Sequence, residues 1–357
     1  MREIKILCSS DWHLDSPFEG LSASKAGLRR NEQSELLETF VQLARQERVD
    51  LVLLGGDLLS SRCSCYETGE TLVRALRGID APVFIAPGES DAYTPRCPYA
   101  CLRLSENVHV FTDSEITCAE LPELGVRVFG AAHTGNTAPT LDGFCAVKAD
   151  GFYNLLCLYG EYGLEMSGID FASLGGRHSA SGLKKVGDTW YSYSGCPQGR
   201  SFEECGERYV SIVRLSENGC SAEQHSLGGR QYKTLEVDVT GREPLIALHT
   251  SIPDDTLSDI YRIVLTGECA AAPDLNALHA SLAELFFDVK LVDRTKLSHS
   301  IWDKAQEDTL RGIFLRKLRE KYDNTDDLRE KEMIGRAARW GLSALDNGKE
   351  VAAHENK

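Results

Sequence analysis

The chain has 357 residues, 42% apolar and 26% charged, which fits a folded protein with more chain than one small core needs. No window approaches the run of about 18 apolar residues that a transmembrane helix requires, and the net charge of −15 excludes a broadly basic, nucleic-acid-coating surface, though not a local basic groove or a metal-assisted phosphate site. The twelve cysteines are irregularly spaced, with no Cys-x-x-Cys, and the pairs Cys63-x-Cys65 and Cys97-x₃-Cys101 lack matching second pairs, so they read as reduced thiols of a cytoplasmic protein rather than a zinc or disulfide framework.

The N-terminus begins on a strand-like segment rather than a basic region and apolar core, so no secretory signal is expected. Residues 4–8 read as a strand that runs into Asp11-Trp12-His13. Over 31–47, Leu36, Leu37, Phe40, Val41 and Leu43 recur close to helical spacing. "VDLVLLGGD" is a continuous apolar run closed by Gly55-Gly56-Asp57, as a buried parallel strand would be. A helix follows at 67–77, then a third strand at Val83–Ala86 that ends in a Pro-Gly turn before Glu89 and Asp91. Further strands are expected near 108–111, 126–131, 155–159, 171–174, 189–193 and 208–215, the later ones without long helices between them. This pattern predicts a layered α/β domain with two sheets over residues 1–230.

"SLGGRQ" (226–231) reads as a linker. A small α/β domain is expected over 231–297, with strands at 233–238, 260–265 and 286–292 and a helix at 274–285. Residues 298–348 are helical in pattern: Leu310, Ile313, Phe314, Leu318 and Tyr322 share one face, and Met333, Ile334, Ala337, Ala338, Leu342 and Leu345 continue the periodicity up to a stop at Gly348. The polar tail, 349–357, is expected to be disordered.

Three strands of the N-terminal half therefore end in polar residues: Asp11 and His13, then Asp57, then Glu89 and Asp91. Strand C-termini of an α/β sheet share one edge, where ligands bind. Carboxylates and imidazoles gathered there suit a divalent metal with mixed oxygen and nitrogen ligands. Asp11-x-His13 alone is weak evidence, and Gly56-Asp57 alone often just makes a turn. Both in order, each at a strand end with a helix between, are much stronger.

With these motifs the chain resembles the calcineurin-like metallophosphoesterases, and among them the SbcD and YhaO type of DNA repair exonuclease subunit. "SDWHLDSPFEGL" and "LVLLGGDLL" are similar to the first two family motifs, and "VFIAPGESD", "LLCLYGEYG" and "FASLGGRHSAS" stand in the places of the next three. "YSYSGCPQGRSFEECGERYVSIV" is similar to the segment after the fifth motif, and "EDTLRGIFLRKLRE" and "RAARWGLSAL" to the helical C-terminus, so the resemblance spans residues 4–346. It implies a four-layer α/β/β/α sandwich, a small α/β capping domain and C-terminal helices. It also implies metal-dependent cleavage of DNA phosphodiester bonds, with Mn²⁺ favoured and Fe, Zn or Mg as alternatives. The implied partners are DNA and a coiled-coil ATPase of the SbcC or YhaN type docking on the C-terminal helices, and a homodimer is compatible with it.

The departures from the family pattern fall on one side. The resemblance assigns one metal to Asp11, His13, Asp57 and His178, all present, with Asp57 shared between two ions. On the side of the second ion the family's Asn is Glu89, its lone His is Tyr159, and the first His of the fifth motif is Gly176. Glu89 reads either as an oxygen ligand that retains a second ion or as a filler of vacated space. Tyr159 reads as a packing aromatic, since its phenol is protonated at neutral pH. Ser90 replaces the histidine that assists at the phosphate, and a hydroxyl cannot carry an imidazolium charge. Arg177 is a candidate phosphate contact, Asp91 a turn-orienting carboxylate, and His109 and His133 structural. One well-formed metal site and a doubtful second leave two alternatives: a weak phosphodiesterase or nuclease, or a non-catalytic paralogue acting as a DNA-binding or ATPase-partner subunit.

Overall fold

The computed structural model describes residues 1–61, 66–148, 151–160, 166–269 and 272–347. Cys63, Cys65, the segment 161–163 of the fourth motif, the expected stop at Gly348 and the tail lie outside them. The chain divides into two compact units, the first spanning Met1–Gln231 and the second beginning at Tyr232.

The first unit opens with β1 (Ile4–Ser9), α1 (Ala23–Gln46), β2 (Leu51–Leu54), α2 (Tyr66–Arg77), β3 (Val83–Ile85), the one-turn α3 (Pro98–Cys101) and β4 (Val108–Val110). Then come β5 (Thr117–Leu121), β6 (Val126–Gly130), β7 (Tyr153–Tyr159), β8 (Phe171–Gly175), β9 (Lys184–Val186), β10 (Thr189–Tyr193), β11 (Val210–Ser216) and β12 (Gly219–His225). One six-stranded sheet has the order β12-β11-β1-β2-β3-β4, the other β5-β6-β7-β8-β10-β9. β1 to β4 are parallel, and β11 returns antiparallel beside β1. In the second sheet β6, β7, β8 and β10 run parallel, with antiparallel edges.

Alternation along β1 explains the layering, because successive side chains point to opposite faces. Leu7 packs with Leu36, Leu37 and Phe40 of α1 and Leu72 and Leu76 of α2. Ile4, Ile6 and Cys8 face the other way and meet Val126, Val128, Leu155 and Phe171 of the second sheet. Helix, sheet and sheet thus make three layers. The outer face of the second sheet, with Leu156, Leu158, Ala172 and Leu174, is covered by Leu141, Phe144, Ala146, Met166 and Ile169. The α/β/β/α resemblance implies helices in this fourth layer, but among the described residues no helix lies in that covering stretch.

α1 begins eight residues before the periodicity suggested. Ser22 caps it by accepting from Lys25 N–H. Its first turns bury Arg29 and Gln33 in place of apolar residues, so hydrophobic spacing could not reveal them. Arg29 is fully buried. It donates to Glu32 (2.6 Å) and to the carbonyl of Gly199 (2.9 Å), and its guanidinium lies 5.0 Å from the centre of the Phe18 ring. In the amide orientation that satisfies its neighbours, Gln198 also accepts from both terminal nitrogens of Arg29, at 2.8 and 3.2 Å. Arg230, just before the unit boundary, pairs with the same Glu32 at 2.6 Å.

The second unit contains β13 (Tyr232–Asp238), α4 (Pro244–Ser251), β14 (Ile260–Thr266), β15 (Glu268–Cys269), α5 (Leu275–Leu282), β16 (Asp288–Asp293), β17 (Lys296–Leu297), α6 (Leu310–Asp323) and α7 (Leu328–Asn347). β13, β14 and β16 form a parallel sheet packed by α4 and α5 around Ile263, Leu248 and Leu282. α6 and α7 share a separate cluster of Leu315, Ile334, Ala338, Leu342 and Trp302. The expected stripe is thereby corrected: Leu315 is the buried centre of α6, flanked by Phe314, Leu318 and Tyr322, whereas Leu310 and Ile313 are exposed. Arg339 ties α7 back to the β16–β17 turn, donating to the carbonyl of Thr295 (2.7 Å) and to Asp293 (3.0 Å).

Candidate metal centre

The C-terminal ends of β1, β2, β3, β7 and β8 converge on one place, bringing the motif residues together. The two sheets touch backbone to backbone there: a Cβ on Gly55 would stand 2.8 Å from the amide nitrogen of Gly175. The loop after β1 runs alongside the loop after β2, with Asp11 N–H donating to Gly56 and His13 N–H to Asp57, both at 2.9 Å. Asp11, His13 and Asp57 all have left-handed backbones, with φ of 53°, 45° and 50°. Such conformations are uncommon for non-glycine residues and persist where surrounding structure over-determines them.

Asp91 supplies much of that constraint. It is buried, and its carboxylate accepts the amide protons of Gly88 (2.7 Å), Leu58 (2.8 Å), Asp57 (3.1 Å) and Leu59 (3.4 Å), together with the Tyr99 hydroxyl. Gln33 performs a similar service for the first loop, donating to the carbonyls of Trp12 (3.2 Å) and His13 (3.4 Å). Neither Gln33 nor Arg29 was signalled by any motif, because each acts through backbone carbonyls that only the fold brings near.

Asp11, His13 and His178 form a cluster in which one ligand atom from each lies within 4.8 Å of the others. Asp11 is fully buried, and burial raises its pKa, opposed by the Ser10 hydroxyl. It accepts from Ser10 Oγ at 2.6 Å and from Gly176 N–H at 3.1 Å. Burial, with the nearby Arg200 and His178, pushes His13 down to about 3, so the ring stays neutral. Its Nε2 is buried without a hydrogen-bond partner among the described residues, 3.5 Å from Asp57 Oδ2. A neutral imidazole nitrogen left without a hydrogen bond beside two carboxylates fits a divalent cation, since burying it unpaired would otherwise be costly.

His178 is half-exposed and approaches from β8, its Nε2 4.0 Å from Asp11 Oδ1 and its ring 5.3 Å from that of His13, edge to face. On its far side Nδ1 lies 2.7 Å from Glu204 Oε1. That contact raises the pKa of His178, against the effect of burial. Burial raises the pKa of Glu204, but the bonds from His178 and Arg200 outweigh it and hold the carboxyl down at about 2.

This depressed value makes the stability of the metal-free protein depend on pH. A carboxyl whose folded pKa lies below its ordinary 4.5 contributes stability that is complete above that value and is lost as pH falls towards 2. In urea denaturation, Glu204→Gln should be less stable than wild type by about 3 kcal/mol at pH 6. That gap should narrow progressively as pH falls below 4.5. A gap independent of pH would show that the carboxylate charge is not what stabilises this contact.

Asp57 is buried too, and burial together with the neighbouring Asp91 carboxylate raises its pKa. Its Oδ1 accepts Ser90 N–H (2.8 Å), and its Oδ2 accepts the hydroxyls of Ser90 and Tyr159, each at 3.0 Å. Tyr159 is therefore a hydrogen-bonded aromatic beside Asp57, its hydroxyl kept protonated by burial and by the Asp57 charge. Glu89 is exposed and is not in the cluster of potential ligands. Gly176 contributes only its backbone, at φ of +91°. Arg177 is exposed, with its guanidinium 4.6 Å from the centre of the Tyr193 ring. His133 lies beside Tyr159 and His109 beside Phe84 and Phe111, all outside the cluster.

A model of the calcineurin-like phosphoesterase family matches residues 4–195, more than half of the chain. This chain belongs to that family. The phosphoesterase is similar to the uncharacterized metallophosphoesterase YhaO of Bacillus subtilis (strain 168), with 23% identity over 297 residues, 73% of this chain and 69% of YhaO. Among solved structures, TT1561 of Thermus thermophilus covers 64% of this chain and 100% of its own, with 15% identity and a TM-score of 0.41. A zinc-complexed Vps29 from Entamoeba histolytica covers 63% and 100%, with 13% identity and a TM-score of 0.27. Family membership makes the phosphoesterase a metal-dependent hydrolase of phosphoesters by class. No described helix is long and apolar enough to cross a membrane.

Proposed function

We propose that this phosphoesterase cleaves phosphodiester bonds, with DNA as its substrate class, through a centre holding one divalent ion, Mn²⁺ favoured, and that its turnover is weak. The observation that carries this reading is the Asp11–His13–His178 cluster, whose His178 also lines an open cleft of about 730 Å³. The cleft is lined by Arg177, His178, Ser179, Ser181 and Lys184. The two cations and two hydroxyls that line this cleft with His178 suit a phosphodiester backbone, and they stand out in a chain of net charge −15.

A bound ion would supply Lewis-acid activation of water and of a phosphoryl oxygen. The chain's own residues would orient that chemistry. Asp11 and His13, on a loop clamped by Gln33 and bonded to the neighbouring loop that Asp91 holds, keep their ligand atoms in place at little conformational cost. Arg177, stacked on Tyr193, offers a guanidinium whose direction is restricted, suited to non-bridging phosphate oxygens. Ser90 spends its hydroxyl on Asp57 and cannot transfer a proton as an imidazole would, which supports weak turnover.

The second reading is a non-catalytic subunit. It draws support from Asp57, whose Oδ2 already takes two hydroxyl donors, so half of a two-ion centre is filled by protein. It also draws support from exposed Leu310, Ile313, Met333 and Trp340 on α6 and α7, which suit docking of a coiled-coil ATPase.

The two readings separate in one experiment. Purified protein is assayed for bound metal and for Mn²⁺-dependent cleavage of bis-p-nitrophenyl phosphate and linear duplex DNA, against Asp57→Ala. Turnover that this substitution abolishes supports the catalytic reading. One ion per chain with turnover no greater than that of Asp57→Ala sinks it and leaves the subunit reading.

A further inference from the structure

His13 and His178 face the same cluster but are held in different ways. His13 is confined by burial, its side chain 9% exposed, whereas that of His178 is 40% exposed and its ring meets that of His13 at a steep angle. A half-exposed imidazole on a loop does not keep one tautomer and one ring orientation unaided.

The segment after β10 provides what the loop lacks. Cys196 N–H and Arg208 Nη1 both donate to the carbonyl of His178, at 3.1 and 3.0 Å, so this segment grips the His178 backbone from both of its ends. Between those ends stands Glu204, its side chain 8% exposed. Glu204 accepts Arg200 N–H and Arg200 Nη2, each at 2.7 Å, and Arg200 Nε at 3.3 Å. Gly199 packs directly on the carbonyl of Glu204, 2.5 Å from where a Cβ would stand, and Gly199 is itself held by the buried Arg29. The carboxylate is thus fixed before it meets the histidine.

Its geometry also settles which nitrogen of His178 carries hydrogen. Nδ1 is 2.7 Å from Glu204 Oε1, and a bare lone pair could not sit that close to a carboxylate oxygen. Arg200 Nη2 lies 3.2 Å from the same Nδ1, which is then a contact between two donors converging on one acceptor rather than a hydrogen bond. Nδ1 therefore holds the proton and donates to Glu204. In the neutral ring the lone pair is on Nε2, which faces Asp11.

We infer that Glu204, clamped by Arg200, is a positioning residue of the metal centre: it sets the tautomer and orientation of His178 and acts on the ion only through that ring. The inference rests on the reading of Asp11, His13 and His178 as the metal site. Outer-shell partners of this kind typically change metal affinity by about 10–100-fold when removed.

The test is Mn²⁺ affinity, read by electron paramagnetic resonance titration of free Mn²⁺, in wild type, Glu204→Ala, His178→Ala and the double variant. Glu204→Ala should weaken binding about 10–100-fold in the wild-type background and by less than about twofold when His178 is already absent. An unchanged affinity in Glu204→Ala, or an equal further loss in the His178→Ala background, would overturn the inference. Wild type that binds no Mn²⁺ would instead overturn the site reading on which it rests. A second measurement needs no variant to fold: nitrogen NMR of the metal-free wild type at pH 9 should show His178 with its hydrogen on Nδ1. Finding it on Nε2 would refute the inference whatever the affinities.

Discussion

His13→Ala is expected to lower Mn²⁺ affinity by more than the ~10–100-fold typical of outer-shell changes, because it deletes a ligand outright. Hydrolysis of a simple phosphodiester should fall with it to the level of Asp57→Ala. His13 sits at φ 45°, its N–H is held by Asp57, and its carbonyl accepts from Gln33 and from Ser60 Oγ at 2.7 Å. None of those bonds involves the imidazole. The ring nitrogen Nε2 is the part left without a hydrogen-bond partner, so the loop does not depend on the side chain for its shape.

Removing the ring should therefore cost the metal-free protein little, within about 2 kcal/mol, since the lost packing is partly offset by relief of a buried unpaired nitrogen. The stabilisation that Mn²⁺ confers should vanish. For a single site at a hundredfold excess of metal over Kd that stabilisation is about 2.7 kcal/mol, readily seen as a shift in Tm. Wild type should show the shift and the variant should not. A variant that keeps the full shift would exclude His13 from the site.

Asp91→Ala is expected to be the most damaging single substitution for stability, by about 3–5 kcal/mol in urea denaturation. Asp91 is 1% exposed and accepts from four backbone amides and one phenol. Alanine leaves all five donors in a space that water does not readily reach, and each unsatisfied buried donor carries its own desolvation cost. Asp91→Asn keeps one acceptor oxygen and should recover part of the loss. Because two of those amides belong to Asp57 and Leu58, the damage should extend to Mn²⁺ affinity even though Asp91 is not among the clustered ligands. A loss below about 1 kcal/mol would mean that the loop after β2 holds its left-handed turn without the clamp.

The centre was legible in the chain to different depths on its two sides. Asp11, His13 and Asp57 stand immediately after apolar runs, so their arrival at one sheet edge follows from the parallel arrangement those runs imply. His178 comes from the second sheet, about 120 residues beyond Asp57, and only its alignment with a family motif connected it to the others. The fold brings it there because Gly55 and Gly175 let the two sheets meet backbone to backbone. The substitutions at Ser90, Tyr159 and Gly176 were visible as departures, but their consequence was not. Two of the three turn out to supply hydroxyls to Asp57. The third supplies an amide to Asp11 from a backbone conformation that disfavours any side chain.

What the sequence by itself determined is the strand–helix series of the first unit, the polar endings of its strands, and the residue types able to hold an ion. These are local properties, written as apolar periodicity and as polar residues at its breaks. What only the tertiary structure decided is how those residues are held. The buried polar groups that do the holding, Arg29, Gln33, Asp91, Arg200 and Glu204, interrupt the apolar pattern or lie in loops. Some of their contacts are local, Arg29 with Glu32, Arg200 with Glu204 and Asp91 with Gly88, but those that hold the centre run to Gly199, Trp12, Leu58 and His178, which no spacing along the chain announces. Hydrogen bonding and charge pairing act over about 3 Å in space, whatever the separation in sequence.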